Sequence, residues 1–427
     1  MSSPPKLTTT RLANGLTIVH QEISATPVAV VDVWVRAGAV LEPDQWMGIA
    51  HFLEHMVFKG SDRIAPGEFD HAIESRGGTS NAATSHDYAH FYVMTAQDQI
   101  AATLPYLAEL LTKAAIPERE FYPERQVVLE ELRQAQDDPD WLGFQTLMET
   151  IYPHHPYRRS ILGTPESLMG ISSQDMQQFH QAHYQPHNMT VVITGGIDYC
   201  TALELVEHHF QEFPAVVSCP RPLLNPDLDF VTVQRQELVL PRLSQARLMM
   251  AWRCPGIDPN DPLLQQFRLG YGLDLLSALL TDGRCARLTQ ELREDRGLVD
   301  GISSNFSLQR YSSLFTITAW LPPKNLDRVE AIICDRLSTL QSCPPTMAEL
   351  TRCQRLLCND YAFSTESPAQ LAGLYGFYST IATADIALTY PDQVRSFTPE
   401  EIQHLAQVYL SPYHYASVIL RPDDVES

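Results

Sequence analysis

Read for the spacing of its apolar and polar positions, the chain makes two passes through a similar pattern. Leu12-Ala13-Asn14-Gly15-Leu16-Thr17-Ile18-Val19 sets Asn-Gly between two short apolar runs, which predicts two strands around a tight turn. The valine-rich run Val28 to Val35 predicts a strand that continues into Arg36-Ala37-Gly38-Ala39. From Gly48 to Gly60 apolar residues fill the gaps between polar ones, and Gly60 supplies a stop, so a short, largely buried helix is predicted. Pro66 to Glu74 predicts another helix, stopped by Gly77-Gly78. Thr79 to Val93 starts polar and runs into a strand. Two helices follow, Gln97 to Ala114 and Pro123 to Gln136, with Pro123 in the first turn and Pro139 just past the end. A loop around His155-Pro156-Tyr157 precedes the segment Tyr184 to Gly195, which leads into a strand.

Between Phe213 and Pro226 periodicity fades, and Pro214, Pro220, Pro222 and Pro226 accumulate, as in a linker. The pattern then recurs. Leu243 to Trp252 reads as a strand, Leu263 to Leu280 as a long helix, Arg284 to Arg296 as helical, and Gly301 to Phe306 and Leu314 to Trp320 as strands. The expected organisation is two related domains, 1–213 and 228–427, joined by a linker at 214–227. A chain of 427 residues with 44% hydrophobic content has core enough for both.

Charge narrows the function. The balance 30 − 51 = −21 argues against a nucleic-acid partner and favours either basic peptides or solubility alone. All eight cysteines fall between Cys200 and Cys358 and none forms a Cys-x-x-Cys pair, which argues against a cysteine zinc site and for reduced, mostly buried thiols. Met1-Ser2-Ser3-Pro4-Pro5-Lys6 has no apolar signal region and no stretch approaches a membrane span. These features predict a soluble cytoplasmic protein, with a trimmed organelle presequence as the alternative.

The candidate chemistry sits on the helix predicted after Gly48. His51 and His55 lie one turn apart on one face, the spacing with which two imidazoles grip one metal ion. Glu54 lies beside that face, where a carboxylate can take a proton from water activated by the metal. The order is the reverse of the commoner His-Glu-x-x-His. The other histidines are expected not to be ligands: His71 is alone, His86 and His90 lack a matching carboxylate, and the same is expected of His154, His155, His180, His183 and His187.

The run Gly48-x-Ala50-His51-Phe52-Leu53-Glu54-His55-Met56-x-Phe58-Lys59-Gly60 closely resembles the pitrilysin, insulin-degrading enzyme and mitochondrial-processing-peptidase family of zinc peptidases. In that family a glutamate some 75 residues after the second histidine is the third ligand; Glu131 fits, since 131 − 55 − 1 = 75, and Glu124 occupies the place of a second important glutamate seven positions earlier. Helical spacing favours Glu131 over Glu130 as well. Positions 124, 127, 128 and 131 share a stripe with Val127 and Val128, so Glu131 is expected to be buried and in need of a cation, with Glu130 solvated and Glu124 orienting a ligand. Gly77-Gly78-x-x-Asn81-Ala82-x-Thr84, His155-Pro156-Tyr157-x-x-x-x-x-Gly163 and Tyr184-x-Pro186-x-Asn188-Met189-Thr190 also resemble family segments.

The resemblance implies an α+β fold of two homologous domains, each a mostly antiparallel sheet flanked by helices, together forming one half of a clamshell. It implies one zinc ion (Zn2+) per chain and peptide substrates pairing with a strand edge at Asn81 and Ala82. Active members carry an arginine and, seven residues later, a tyrosine in the second half; Arg293 is in place, but Asp300 stands where tyrosine is expected. An aspartate there opposes stabilisation of an oxyanion. The expectation is therefore a zinc metalloendopeptidase subunit acting on unfolded peptides or presequences, completed by a homologous partner subunit. The alternatives are a self-sufficient homodimeric peptidase and a non-catalytic scaffold subunit of a larger complex.

Overall fold

Apolar alternation and the Asn14-Gly15 turn do produce strands, and the computed structural model, which describes residues 7–220, 222, 224, 232–241, 243–258 and 262–423, arranges them in two sheets. In the first unit β1 (Thr8–Arg11), β2 (Thr17–Glu22), β3 (Val28–Val35), β4 (Thr79–Thr84), β5 (Ala89–Ala96) and β6 (Met189–Gly195) lie in the order β1-β2-β6-β3-β5-β4. Only β2 and β6 run parallel; the other neighbours are antiparallel. The central strands β3 and β6 are buried along almost their whole length, which is why they read as unbroken apolar runs rather than as alternation. The edge strand β4 alternates between exposed and half-buried positions.

The second unit holds β7 (Gln234–Leu240), β8 (Ala246–Pro255), β9 (Gly301–Ser307), β10 (Ser312–Leu321) and β11 (Ala416–Pro422) in the order β7-β11-β8-β10-β9, with β7 and β11 parallel. Setting β1 aside, each sheet follows the chain order first, fifth, second, fourth, third, and each has its one parallel pair between first and fifth strands. The repeat seen in the sequence is thus a repeat of topology, and the fold is mixed α and β with helices flanking both sheets.

The units are not contiguous in sequence. Ala135–Arg158 belongs to the second unit and Ser364–Ala387 to the first. Each of these segments carries a helix with a glycine at its sheet contact. In the second unit Gly143, on helix Pro139–Ile151, faces Met249 and Leu420; in the first unit Gly376, on helix Pro368–Ile381, faces the Trp34 indole. The helix Pro368–Ile381 is tied down further by Thr194 Oγ1, which donates to the Pro368 carbonyl at 2.7 Å, and by the Tyr375 hydroxyl donating to Gln21.

Several elements differ from their expected form. Thr79 to Val93 is a hairpin of two strands, β4 and β5, because Ser85 to Tyr88 turn the chain back. The helix expected from Pro123 starts at Glu118 and keeps Pro123 inside it; Pro117 precedes it, and its carbonyl accepts from Glu120 and Phe121. Pro123 is the sixth residue of this helix and has no N–H to give to the Arg119 carbonyl, so the ladder lacks one bond near its start. The stretch Arg284 to Arg296 winds as a wide π turn over Thr289–Asp295. Of the expected linker at 214–227, Pro214 to Pro220 are without helix or strand, and residues 221, 223 and 225–227 lie outside the described residues. No helix among the described residues is long and apolar enough to cross a membrane.

Candidate metal centre

The helix Ile49–Val57 buries Ile49, Ala50, Phe52, Leu53, Met56 and Val57, leaving His51, Glu54 and His55 on its remaining face. Its start is set from outside the helix. Glu42, fully buried, accepts the backbone N–H of Gly48 at 2.9 Å through one carboxylate oxygen and that of Ala50 at 2.8 Å through the other. These are donors that a helix start leaves without intrahelical partners. Gly48 adopts φ +90°, and a Cβ there would meet the backbone of Leu162 and Gly163, so only glycine fits. Burial pushes the Glu42 carboxyl up to about 8, against the pull of its two N–H partners and of Arg159.

The second helix of the site is Glu118–Gln136. Its buried face is Phe121, Arg125, Val128, Leu129 and Leu132, and the Phe121 ring packs on Phe52 with centroids 4.8 Å apart. That aromatic contact sets the spacing between the two helices. The adjacent stripe, Glu124, Val127 and Glu131, turns toward the histidines. Here the burial expectation is corrected: Val128 is buried but Val127 is 46% exposed, and the Glu131 side chain is 40% exposed. Valine at 127 marked the stripe facing the site, not the core. Glu130 is exposed and pairs with Arg133 at 2.9 Å.

His51, His55 and Glu131 come together. His51 Nε2 lies 3.7 Å, and His55 Nε2 3.4 Å, from the same Glu131 oxygen, Oε2. One ligand atom from each residue falls within 4.8 Å of the others, and among the described residues this is the one such cluster. A tetrahedral ion with ligands ~2.1 Å away would hold them ~3.4 Å from one another. The two measured separations sit at or just above that value, so two imidazole nitrogens and a carboxylate oxygen fit a divalent metal here. His51 is held down to about 4, first by burial and then by the charge of His55, so its imidazole is neutral at neutral pH, the form that ligates.

Glu124 backs the cluster. Its Oε1 lies 2.9 Å from His55 Nδ1 and its Oε2 2.6 Å from Lys59 Nζ. The contact places the proton on Nδ1 and leaves Nε2 facing Glu131. Burial works to raise the Glu124 carboxyl, but His55 and Lys59 more than offset it and hold it below the usual range. Burial likewise opposes protonation of His55, yet Glu124, Glu131 and Glu54 raise it overall. Glu54 accepts from the Thr84 hydroxyl at 2.6 Å; burial raises its carboxyl, and Thr84 and His55 pull it back in part.

Asn81 and Ala82 lie on edge strand β4, paired to Tyr92 and Phe91 on β5, and the Asn81 side chain accepts from the backbone N–H of Ala82 at 2.9 Å. Arg293 is a half-exposed residue of the second unit, 3.8 Å from Glu294, and is not part of this cluster. Sequence reading gave no role to Glu42, Lys59 or Thr84. Lys59 and Thr84 stood inside motifs already singled out, but nothing in the spacing of Glu42 linked it to the helix.

Residues 17–165 match the family described as Insulinase (Peptidase family M16), and residues 170–357 match Peptidase M16 inactive domain. The zinc protease PqqE of Helicobacter pylori is 28% identical over 98% of this chain and 93% of its own length. A probable mitochondrial-processing peptidase beta subunit of Arabidopsis thaliana is 31% identical over 49% of this chain and 39% of its own. The crystal structure of a protease from Helicobacter pylori superposes with a TM-score of 0.89 at 26% identity, covering 98% of this chain and all (100%) of that one.

Proposed function

We propose that this chain, which belongs to peptidase family M16, is the zinc-bearing subunit of a metalloendopeptidase that hydrolyses unfolded peptides or presequences. The observation that carries the reading is the convergence of His51 Nε2 and His55 Nε2 on one oxygen of Glu131 beside the free face of Glu54. His51, His55 and Glu131 hold one zinc ion. When bound, zinc polarises the scissile carbonyl and makes water acidic enough to attack near neutral pH.

Every other role falls to the chain's own side chains. Glu54 takes a proton from the attacking water as its oxygen bonds to the carbonyl carbon, and returns that proton to the amine as the C–N bond breaks. Glu124, braced by Lys59, keeps His55 in one tautomer and one orientation. The substrate adds a strand along the edge of β4, at Asn81 and Ala82, through main-chain hydrogen bonds. Arg293 contributes a substrate contact, and Asp300 leaves the oxyanion donor to a homologous partner subunit. The match of the second half to a domain described as inactive supports a single metal centre per chain.

The test is purified chain assayed for metal and for cleavage of an unstructured peptide, with and without its co-purifying partner. Glu54→Gln is expected to keep zinc and lose cleavage. Zinc-free protein would favour the scaffold reading, and full turnover by the chain alone would remove the need for a different partner.

A further inference from the structure

The carboxylate of Glu54 is held from outside its own helix, by the last residue of the edge strand. Thr84 ends β4, and its backbone pairs inward with Ala89 of β5. Among the described residues, the outer side of β4 carries no further strand in the sheet. Thr84 Oγ1 donates to Glu54 Oε2 at 2.6 Å, within the range usual for a hydroxyl on an ionised carboxylate. Among the described residues the other oxygen, Oε1, has no hydrogen-bond partner, so one oxygen is anchored and one is left to react.

We infer that Thr84 is a positioning residue that fixes which oxygen of Glu54 exchanges the proton and couples that oxygen to the substrate-binding edge. The inference rests on the peptidase reading above. The last torsion of a glutamate is broad and roughly two-fold, so helix packing alone does not decide which oxygen faces the water. A carboxylate only accepts, and the Thr84 hydroxyl occupies Oε2 in that state. Once the proton has moved from water to glutamate, Oε2 accepts best from Thr84 as the carbonyl oxygen, which puts the proton on Oε1. The same atom then returns it to the departing amine. Because Thr84 is also part of β4, a peptide pairing along that edge is placed in register with the carboxylate that acts on it.

Thr84→Val keeps the shape and removes the hydroxyl; Thr84→Ser keeps the hydroxyl and removes a methyl. Both full-length variants are compared with the unaltered chain, each with any co-purifying partner, on an internally quenched fluorogenic peptide without stable structure. Zinc affinity is measured alongside by chelator competition. The expected result is kcat lowered about ten- to a hundredfold in Thr84→Val, with KM and zinc affinity within about twofold, and recovery to within about threefold in Thr84→Ser. A kcat in Thr84→Val within twofold of the unaltered chain overturns the inference alone. So does equal loss of zinc in both variants, which marks a merely structural residue. Failure of the unaltered chain to cleave overturns the peptidase reading and takes this inference with it.

Discussion

Replacing Glu124 by alanine tests the centre at its most quantifiable contact. The side chain is 12% exposed and makes two charged contacts, 2.9 Å to His55 Nδ1 and 2.6 Å to Lys59 Nζ. They are not equal in effect on the metal. Lys59 is 29% exposed and regains water when its partner goes, so its loss contributes little. His55 instead loses the acceptor that fixes its tautomer, and a hydrogen bond to a charged group is worth about 1.5–3 kcal/mol. At about 1.4 kcal/mol per tenfold change, that range corresponds to roughly ten- to a hundredfold weaker metal binding, the span usual for such orienting partners. Zinc dissociation constants of the unaltered chain and Glu124→Ala, from competition with a fluorescent chelator at pH 7.5, check the figure (about 7.5 being far from the ordinary carboxylate range). Equal constants within twofold would refute the reasoning, since His55 would then need no help from Glu124 to ligate.

Three further outcomes are expected. Glu131→Gln abolishes stoichiometric zinc and Glu130→Gln leaves it intact, as elemental analysis of the purified variants will report. Glu42 has a carboxyl raised from 4.5 to about 8, so the folded chain binds more protons than the unfolded one between those values; its stability relative to Glu42→Gln falls as pH rises through that window, and a melting-temperature difference constant from acid to alkaline pH would contradict it. Gly376→Ala drives a methyl group into the Trp34 indole and lowers stability by about 1–3 kcal/mol in denaturant unfolding, with no direct effect on zinc affinity.

The short-range parts of the molecule were legible from residue order. Two histidines one turn apart with a glutamate between them, on a run otherwise apolar, place three functional groups on one helix face whatever surrounds it. The seven-residue interval from Glu124 to Glu131 did the same for the second helix, and family resemblance joined the two helices. The strands β3 and β6 were legible because central strands are apolar throughout. What lay beyond it were contacts between positions with no local period in common. Glu42 caps a helix from a loop, Thr84 reaches Glu54 from an edge strand, and Phe52 meets Phe121 across 69 positions (121 − 52). Val127 looked like core because valine usually is; only the helix packing revealed that its stripe faces the metal site. The exchange of Ala135–Arg158 and Ser364–Ala387 between units was equally silent, since a helix pattern records that one face is apolar and not which sheet will cover it.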